Sequence, residues 1–482
     1  MRLPPRHLLI PMIVACALFM ENLDSTIIST ALPSIARSLG EDPVHLNLAI
    51  TSYLLSLAVF IPASGWVADR YGARTVFRAA IIVFTLGSVG CGFSDSLWQL
   101  VATRIVQGIG GAMMVPVGRL VMMRAVPKSD LVRAMTYLTI PALIGPVAGP
   151  PLGGFIVTYA SWRWIFFINI PMGLLGIALA TLFFENVREH DAGRLDIRGF
   201  FLCGLGLAGL VFGFEIAGRG AVPWWGSVAL IAGGAILVGL YVLHAGRSFQ
   251  PIVDLSLFRI PTFFAGVVGG TFFRAGVGAT PFLTPLLFQL AFGMSALSSG
   301  LLTFAGAMGA MLMKTTAAPI IRAFGFRTVL IWNALLASSF LFMTAFFRPW
   351  TPHILIFSLL LAGGYFRSLE FTSVNTLAYA DVPNARMSRA TSLQSMAQQL
   401  AMSIGVGTGA LVLHLSLINQ SSQTVRPEDF MPAFFAVGLI SVASIFFFFP
   451  LSRHAGAEVS GHRAAAIAQT TSSARQSGGA PQ

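Results

Sequence analysis

The sequence predicts an all-α polytopic membrane protein with fourteen transmembrane helices, arranged as two six-helix halves and two inserted helices. Three observations predict this class. Of the 482 residues, 55% are hydrophobic and only 10% are charged, which is far outside the range of soluble globular domains. Fourteen apolar runs are each long enough to cross about 30 Å of hydrocarbon. An internal repeat relates the first six runs to the last six.

The runs are continuously apolar and do not alternate, which favours helices over a β-barrel. They lie at 8–36, 46–66, 78–95, 97–123, 133–158, 164–184, 199–217, 224–244, 262–290, 297–320, 327–347, 352–380, 392–415 and 431–451. If the N-terminus is cytoplasmic, about 20 Lys and Arg fall in inner segments and five in outer segments. This positive-inside bias predicts that both termini are cytoplasmic, in a plasma (inner) membrane. The net charge of +12 therefore indicates topology, and no nucleic-acid partner is expected.

The repeat has nearly the same offset at two places. "DRYGARTVF" matches "RAFGFRTVL", and their glycines, Gly72 and Gly325, are 253 residues apart. Arg133 and Arg389 open a second matching pair, 256 residues apart. Two parallel six-helix halves around a central cavity are the architecture of the major facilitator fold. The predicted domains are a first bundle, two inserted helices, a second bundle and a disordered cytoplasmic tail, at 1–190, 191–246, 247–452 and 453–482.

Two carboxylates interrupt the first span, in "FMENLDSTIISTALP". Glu21 lies about 13 residues into the span, hence roughly 20 Å deep, and Asp24 shares its helix face by the i, i+3 spacing. A carboxylate at that depth is costly to ionise unless it is paired or wetted, so either acid is a candidate proton carrier. The alternative is a structural role, in which one acid bonds Ser or Thr or pairs with Arg104. Asn22, between them, is a candidate cavity residue.

The segment "GWVADRYGARTVF" (65–77) follows the second run. A glycine here supplies a tight turn, and an aspartate can join a charge network with nearby cations. The segment resembles the G-x-x-x-D-R-x-G-R-[RK] loop of the major facilitator superfamily, although Ala73 stands at a position that is usually basic. The resemblance implies a conformational latch formed by Gly65, Asp69, Arg70, Gly72 and Arg74.

The fourth span begins "RIVQGIGGAMM", which resembles the R-x-x-Q-G motif of the same superfamily. Arg104 and Gln107 share a helix face, and an arginine within a span needs an acceptor. We count Arg104 among the candidate proton-coupling residues and Gln107 among the candidate cavity residues. An interfacial anchoring role for Arg104 remains an alternative.

The fifth span carries "GPVAGPPLGG" (145–154), in which glycines recur every four residues and make one face smooth for close helix approach. Prolines within the same stretch bend the helix. It resembles the antiporter signature of proton-driven exporters, and the resemblance is carried by Gly145, Pro146, Gly149, Pro150 and Gly153. Close packing alone also explains the glycines.

The first span is similar to the L-D-x-T-I-V-N-x-A-L-P motif of the fourteen-span drug:proton antiporter family, the EmrB/QacA type. Seven positions match, with Ser29 in place of the usual asparagine. "SWRWIFFINIPMG" (161–173) is a further stretch typical of that family. The resemblance implies that Asp24 is the better-supported proton site. Glu21 is then either a second proton site or the group that makes the cavity prefer cations.

The second half contributes cations. Arg274 and Lys314 lie in the ninth and tenth spans. They either form ion pairs with the first-span acids across the cavity, bind an anionic group of a substrate, or snorkel to an interface.

Uphill transport needs an energy source. The sequence has no G-x-x-x-x-G-K-[ST] loop and only two lysines, Lys128 and Lys314, so ATP hydrolysis is not expected. No metal-ligand cluster or catalytic constellation is present, so we expect neither an enzyme nor a cofactor. We predict a proton-coupled antiporter that exports small amphipathic or drug-like compounds by alternating access. Its expected partners are a lipophilic small-molecule substrate, protons and the lipid bilayer. It is expected to be a monomer, and a need for accessory efflux proteins stays open. The alternatives are a proton-coupled importer or facilitator of a metabolite and, more distantly, a non-transporting receptor or scaffold.

Overall fold

The computed structural model describes residues 6–41, 46–188, 193–217, 224–418 and 425–462. Within these ranges every regular element is a helix. Eleven helical stretches of the described chain are long and apolar enough to cross a membrane. The all-α polytopic class is thereby confirmed, while the count of fourteen spans stays a prediction. The predicted tail beyond residue 462 lies outside the described residues.

The first ten helices cover most of the chain up to residue 245. They are α1 (Arg6–Leu39), α2 (Asn47–Phe60), α3 (Ser64–Tyr71), α4 (Ala73–Gly92), α5 (Leu97–Ala125), α6 (Leu131–Tyr159), α7 (Trp164–Phe167), α8 (Asn169–Phe183), α9 (Ile197–Ala217) and α10 (Trp224–Ala245). A short 3₁₀ turn, Ile61–Ala63, joins α2 to α3.

Nine further helices follow. They are α11 (Pro261–Phe264), α12 (Gly270–Gly278), α13 (Thr280–Leu286), α14 (Ala296–Thr344), α15 (His353–Ala380), α16 (Met387–Ile418), α17 (Met431–Ala443), α18 (Ile445–Phe448) and α19 (Ala457–Ser460). A π-helical turn, Ala265–Gly269, separates α11 from α12. The last helix, α19, lies in the part of the predicted tail that the structure describes.

Two glycines separate helices at equivalent places of the repeat. Gly72 has φ 91° and ψ 134° between α3 and α4. Gly325 has φ 73° and ψ 160°, and it divides α14 into two limbs, 296–324 and 326–344. A positive φ strains any residue with a Cβ, so each turn requires glycine. The two turns that match in sequence therefore share one backbone conformation.

The chain divides into two compact units. The first contains residues 1–126, 137–256 and 383–419, and the second contains 127–136, 257–382 and 420–482. Within the first unit α1 packs against α5 and α8, α4 packs against α5, and α3 packs against α16. Within the second unit α14 packs against α15 and α17, and α12 packs against α17. The domain boundaries proposed from the sequence stay a prediction.

Candidate functional site

A buried carboxylate network lies inside the first unit, between α1 and α5. Asp24 and Arg104 are each 1% exposed, and Gln107 is fully buried. Arg104 Nη1 donates to Asp24 Oδ2 at 2.6 Å and to Gln107 Oε1 at 2.8 Å. Gln107 Nε2 donates to Asp24 Oδ1 at 2.9 Å. The i, i+3 spacing that the sequence shows on α5 thus presents a cation and an amide to one carboxylate.

Asn169 completes the network from α8. Its Nδ2 donates to Asp24 Oδ1 at 3.2 Å and to Ser88 Oγ at 2.9 Å. Ser88 Oγ in turn donates to the carbonyl of Phe166 at 3.0 Å. No sequence motif predicts a role for Asn169, although it lies within the family-typical stretch 161–173. The available signal was a lone amide in an otherwise apolar span.

Aromatic rings enclose the Arg104 guanidinium. Its Cζ lies 4.9 Å from the centroid of the Phe166 ring and 5.6 Å from that of Tyr53. Its Nε and Nη2 atoms are buried and have no hydrogen-bond partner among the described residues. Asp24 is thus the main neutralising group for this arginine. Removing one member of such a buried pair leaves an uncompensated charge and costs about 3–5 kcal/mol.

The smooth face of α6 meets α1 beside this network. A Cβ on Gly145 would lie 3.0 Å from Asn22 Cβ and 3.1 Å from the Leu23 nitrogen. A Cβ on Gly149 would lie 2.3 Å from Thr26 Oγ1. Close approach of α6 to the helix that carries Asp24 therefore depends on these glycines.

The predicted antiporter motif has three further members, Pro146, Pro150 and Gly153. Gly153 is buried. The side chains of Pro146 and Pro150 lie outside the part of the structure that can be described.

Glu21 lies one turn before Asp24. Its Oε2 atom is buried and has no hydrogen-bond partner among the described residues. Arg119 and Asp24 are charged residues that interact electrostatically with the Glu21 carboxyl group. Arg119, from α5, donates through Nη2 to Gln398 Oε1 at 3.0 Å. The Asn22 side-chain amide donates to the Leu18 carbonyl at 2.8 Å, so its hydrogen bond stays within α1.

The predicted latch joins α3 to α16 within the first unit. A Cβ on Gly65 would lie 2.8 Å from the Ser388 carbonyl oxygen and 2.8 Å from Ser392 Oγ. Ser388 Oγ donates to Asp69 Oδ2. Arg124 Nη2, at the end of α5, lies 3.3 Å from Asp69 Oδ1. Glycine therefore permits close contact, and Asp69 connects α16 to α5.

The remaining latch residues surround the turn at Gly72. A Cβ there would lie 2.3 Å from Asn186 Oδ1, so this turn excludes a side chain for steric as well as conformational reasons. Arg74 is half-buried and reaches the Phe184 carbonyl at 3.5 Å. Arg70 is exposed.

An ion pair that no sequence motif predicted also holds the start of α16, in addition to the contacts with Asp69 and Gly65. Asp254 Oδ2 accepts from Arg386 Nη2 at 2.8 Å and Nε at 3.1 Å, and Arg389 Nη1 lies 3.7 Å away. Burial acts to raise the pKa of Asp254, but the Ser256 hydroxyl and the Arg386 guanidinium outweigh it and hold that pKa below its ordinary value. The carboxylate therefore favours the structure in its ionised form.

Arg274 and Lys314 are both buried in the second unit. Arg274, on α12, donates through Nη2 to Asn375 Oδ1 at 2.7 Å, and its Cζ lies 5.7 Å from the centroid of the Phe371 ring. Lys314, on the first limb of α14, donates through Nζ to Thr372 Oγ1 at 3.0 Å. Neither contact is an ion pair.

The described residues include no group of three or more His, Cys, Asp or Glu side chains that could hold a metal ion. The chemistry available at the Asp24 network is proton binding. A proton on this carboxylate would remove the charge that Arg104 neutralises and would weaken its acceptance from Gln107 and Asn169. Arrival of a proton would thus loosen contacts among α1, α5 and α8.

Comparison with known proteins gives one family. The model of the Major Facilitator Superfamily matches residues 14–406. The chain is 44% identical over 403 residues to the putative multidrug resistance protein MdtD of Salmonella heidelberg strain SL476, covering 83% of this chain and 85% of that protein. The protein of the same name from Salmonella typhimurium strain LT2 matches with the same identity and coverage.

Solved structures agree at the level of the fold. The human organic anion transporter MFSD10 (TETRAN) superposes with a TM-score of 0.67 at 14% identity, over 92% of this chain and 100% of that one. The proton:xylose symporter XylE bound to 6-bromo-6-deoxy-D-glucose gives a TM-score of 0.63 at 16% identity, over 93% and 97%.

Proposed function

This chain belongs to the major facilitator superfamily of membrane transporters, and we propose that it exports small amphipathic, drug-like compounds in exchange for protons by alternating access. The relatives at 44% identity are named as putative multidrug resistance proteins, which supports this substrate class. The proposed setting is the plasma (inner) membrane with both termini cytoplasmic, which the positive-inside bias supports.

The observation that carries the proposal is the buried Asp24 carboxylate with its partner Arg104. A buried ion pair is stable while both charges are present, and protonation of the acid leaves the arginine without its counter-charge. Uptake of one proton would therefore rearrange the network. Binding of a proton from outside and its release to the cytoplasm would bias the transporter between two states.

The proton gradient would be the only energy source, with no cofactor. One proton moving inward gains about 2.3 kcal/mol per 100 mV of membrane potential, plus the pH term. Since about 1.4 kcal/mol corresponds to a factor of ten, this supports a concentration ratio of tens-fold or more.

The test is an Asp24→Asn variant of the full-length protein in proteoliposomes with an imposed proton gradient. The amide keeps the shape of the side chain but cannot exchange a proton, so efflux of ethidium driven by the gradient should fall to the level of empty liposomes. Asp95→Asn is the matched control, because Asp95 is 81% exposed and pairs with Arg163 at the surface. Size-exclusion chromatography checks that the variants fold.

Unchanged coupled efflux in Asp24→Asn would refute the assignment. Ethidium movement in the same direction as the proton would instead select a symporter, and no substrate-dependent proton movement over a broad compound panel would favour a receptor or scaffold.

A parallel Glu21→Gln variant separates the two roles left open for that acid. Fewer protons per ethidium would make it a second proton site, and weaker ethidium affinity at unchanged stoichiometry would make it a determinant of cation preference.

A further inference from the structure

Lys314 is a buried cation that the proposed proton cycle does not use. It lies on the first limb of α14 and is 7% exposed. Its ammonium donates to Thr372 Oγ1 at 3.0 Å, and this hydroxyl donates onward to the Ser368 carbonyl at 3.0 Å. An ammonium carries three donors, so one neutral hydroxyl satisfies only part of its hydrogen-bonding capacity.

The nearest acidic residue in sequence on the facing helix points elsewhere. Glu370 is two residues before Thr372 on α15, and residues two apart on a helix do not share a face. Its Oε2 accepts from Asn333 Nδ2 at 3.0 Å, and Asn333 belongs to the second limb of α14. Among the described residues, no carboxylate lies within 4.0 Å of the Lys314 ammonium.

Arg104 and Lys314 are both buried, but they differ in their partners. Arg104 has Asp24 as an internal counter-charge at 2.6 Å. Lys314 has only a neutral partner, and a buried charge without a counter-charge is strongly disfavoured. An anionic group from outside the chain would supply the missing charge.

We propose that Lys314 is an anion-binding group that holds the carboxylate of an amphipathic compound in the second unit. The assignment names lipophilic carboxylates as a substrate class. It rests on the proposed function. A lipid phosphate has the same chemistry, so the experiment separates the two sources.

The experiment measures binding of a matched pair of fluorescent probes to the purified full-length protein in a non-ionic detergent. 1-Pyrenebutyrate is an amphipathic carboxylate, and 1-pyrenebutanol is its neutral counterpart. The readout is the ratio of their two affinities. Wild type should prefer the carboxylate roughly tenfold or more, as expected for a hydrogen bond to a charged group. Lys314→Gln should lose this preference, and Lys314→Arg should keep most of it.

Lys128→Gln is the matched control. Lys128 is the only other lysine, and its side chain is 51% exposed and pairs with Glu458 at 3.1 Å. This variant should keep the wild-type ratio. Repeating the measurement in liposomes with and without phosphatidylglycerol tests the lipid source.

Three outcomes would overturn the proposal. The first is a wild-type protein with no preference for pyrenebutyrate. The second is a Lys314→Gln variant that keeps the preference or weakens both probes equally. The third is a preference abolished by phosphatidylglycerol, which would assign the site to a lipid phosphate. The Asp24→Asn efflux assay separates this proposal from the proposed transport cycle. If that variant retains coupled efflux, the cycle fails whatever the result for Lys314.

Discussion

Gly65→Ala provides a direct test of the predicted latch. The new Cβ would lie 2.8 Å from the Ser388 carbonyl oxygen, whereas ordinary contacts begin at 3.4 Å. The helices α3 and α16 must therefore move apart by about 0.6 Å, because a backbone carbonyl cannot rotate away as a side chain does. Overpacking of this kind costs about 1–3 kcal/mol. The displacement would also stretch the 2.7 Å contact between Ser64 Oγ and Ser392 Oγ.

If the contact of α3 with α16 belongs to one state of the transport cycle, that cost shifts the population of the state by roughly 5- to 150-fold. Cysteines at positions 64 and 392 report this population, because their sulfur atoms would lie at disulfide distance only when the contact is made. In membranes treated with a mild oxidant, Gly65→Ala should reduce the initial rate of cross-linking by at least fivefold.

Gly239→Ala is the matched control, because a Cβ at that position would meet nothing within 4 Å. It should cross-link as the parent does. A Gly65→Ala variant that cross-links at the parental rate would show that α16 does not press on Gly65, and the steric reasoning for the latch would fail.

Gly149→Ala should slow proton-driven ethidium efflux about tenfold, because its Cβ would clash with Thr26 Oγ1 and push α6 away from the helix that carries Asp24, at the usual cost of overpacking. Efflux at the parental rate would contradict this. Asp254→Asn should lower stability at pH 7 by about 1 kcal/mol, because Arg386 loses its negatively charged partner at a partly exposed site. Since the pKa of Asp254 is below its ordinary value of 3.8 in the folded protein, its stabilising effect is present above that value and is lost as pH falls through the lower, folded-state pKa. Thermal unfolding should therefore separate the variant from wild type at pH 7, and the difference should shrink as pH falls below 3.8. Equal melting temperatures at pH 7 would argue against the anchor.

Local sequence patterns predicted the membrane class, the two equivalent turns and one helix face of the site. Long apolar runs gave the membrane class, since hydrocarbon thickness and helix rise set the length of a span. The shared motif around Gly72 and Gly325 predicted equivalent turns, and both glycines adopt a positive φ. The spacing of Arg104 and Gln107 predicted one shared helix face, and both side chains contact the same carboxylate.

Contacts between distant segments were harder to predict. The sequence offered several partners for Asp24, including Arg104 and the cations of the second half. Asn169 received no role, although it donates to Asp24 across 145 positions of chain. The anchoring of α16 by Asp254 was also missed, because the carboxylate and Arg386 are 132 residues apart and no local spacing relates them.

By itself the sequence determined that this chain spans a membrane, that it contains two related sets of helices, and that Asp24 is the acid to test first. Only the tertiary structure decided that Asp24 pairs with Arg104 in the first unit, and that Lys314 meets a hydroxyl in the second. The physical reason is that helix periodicity specifies which residues share a face, whereas the partner of that face depends on the rotation and depth of neighbouring helices. Those are set by packing along their whole length.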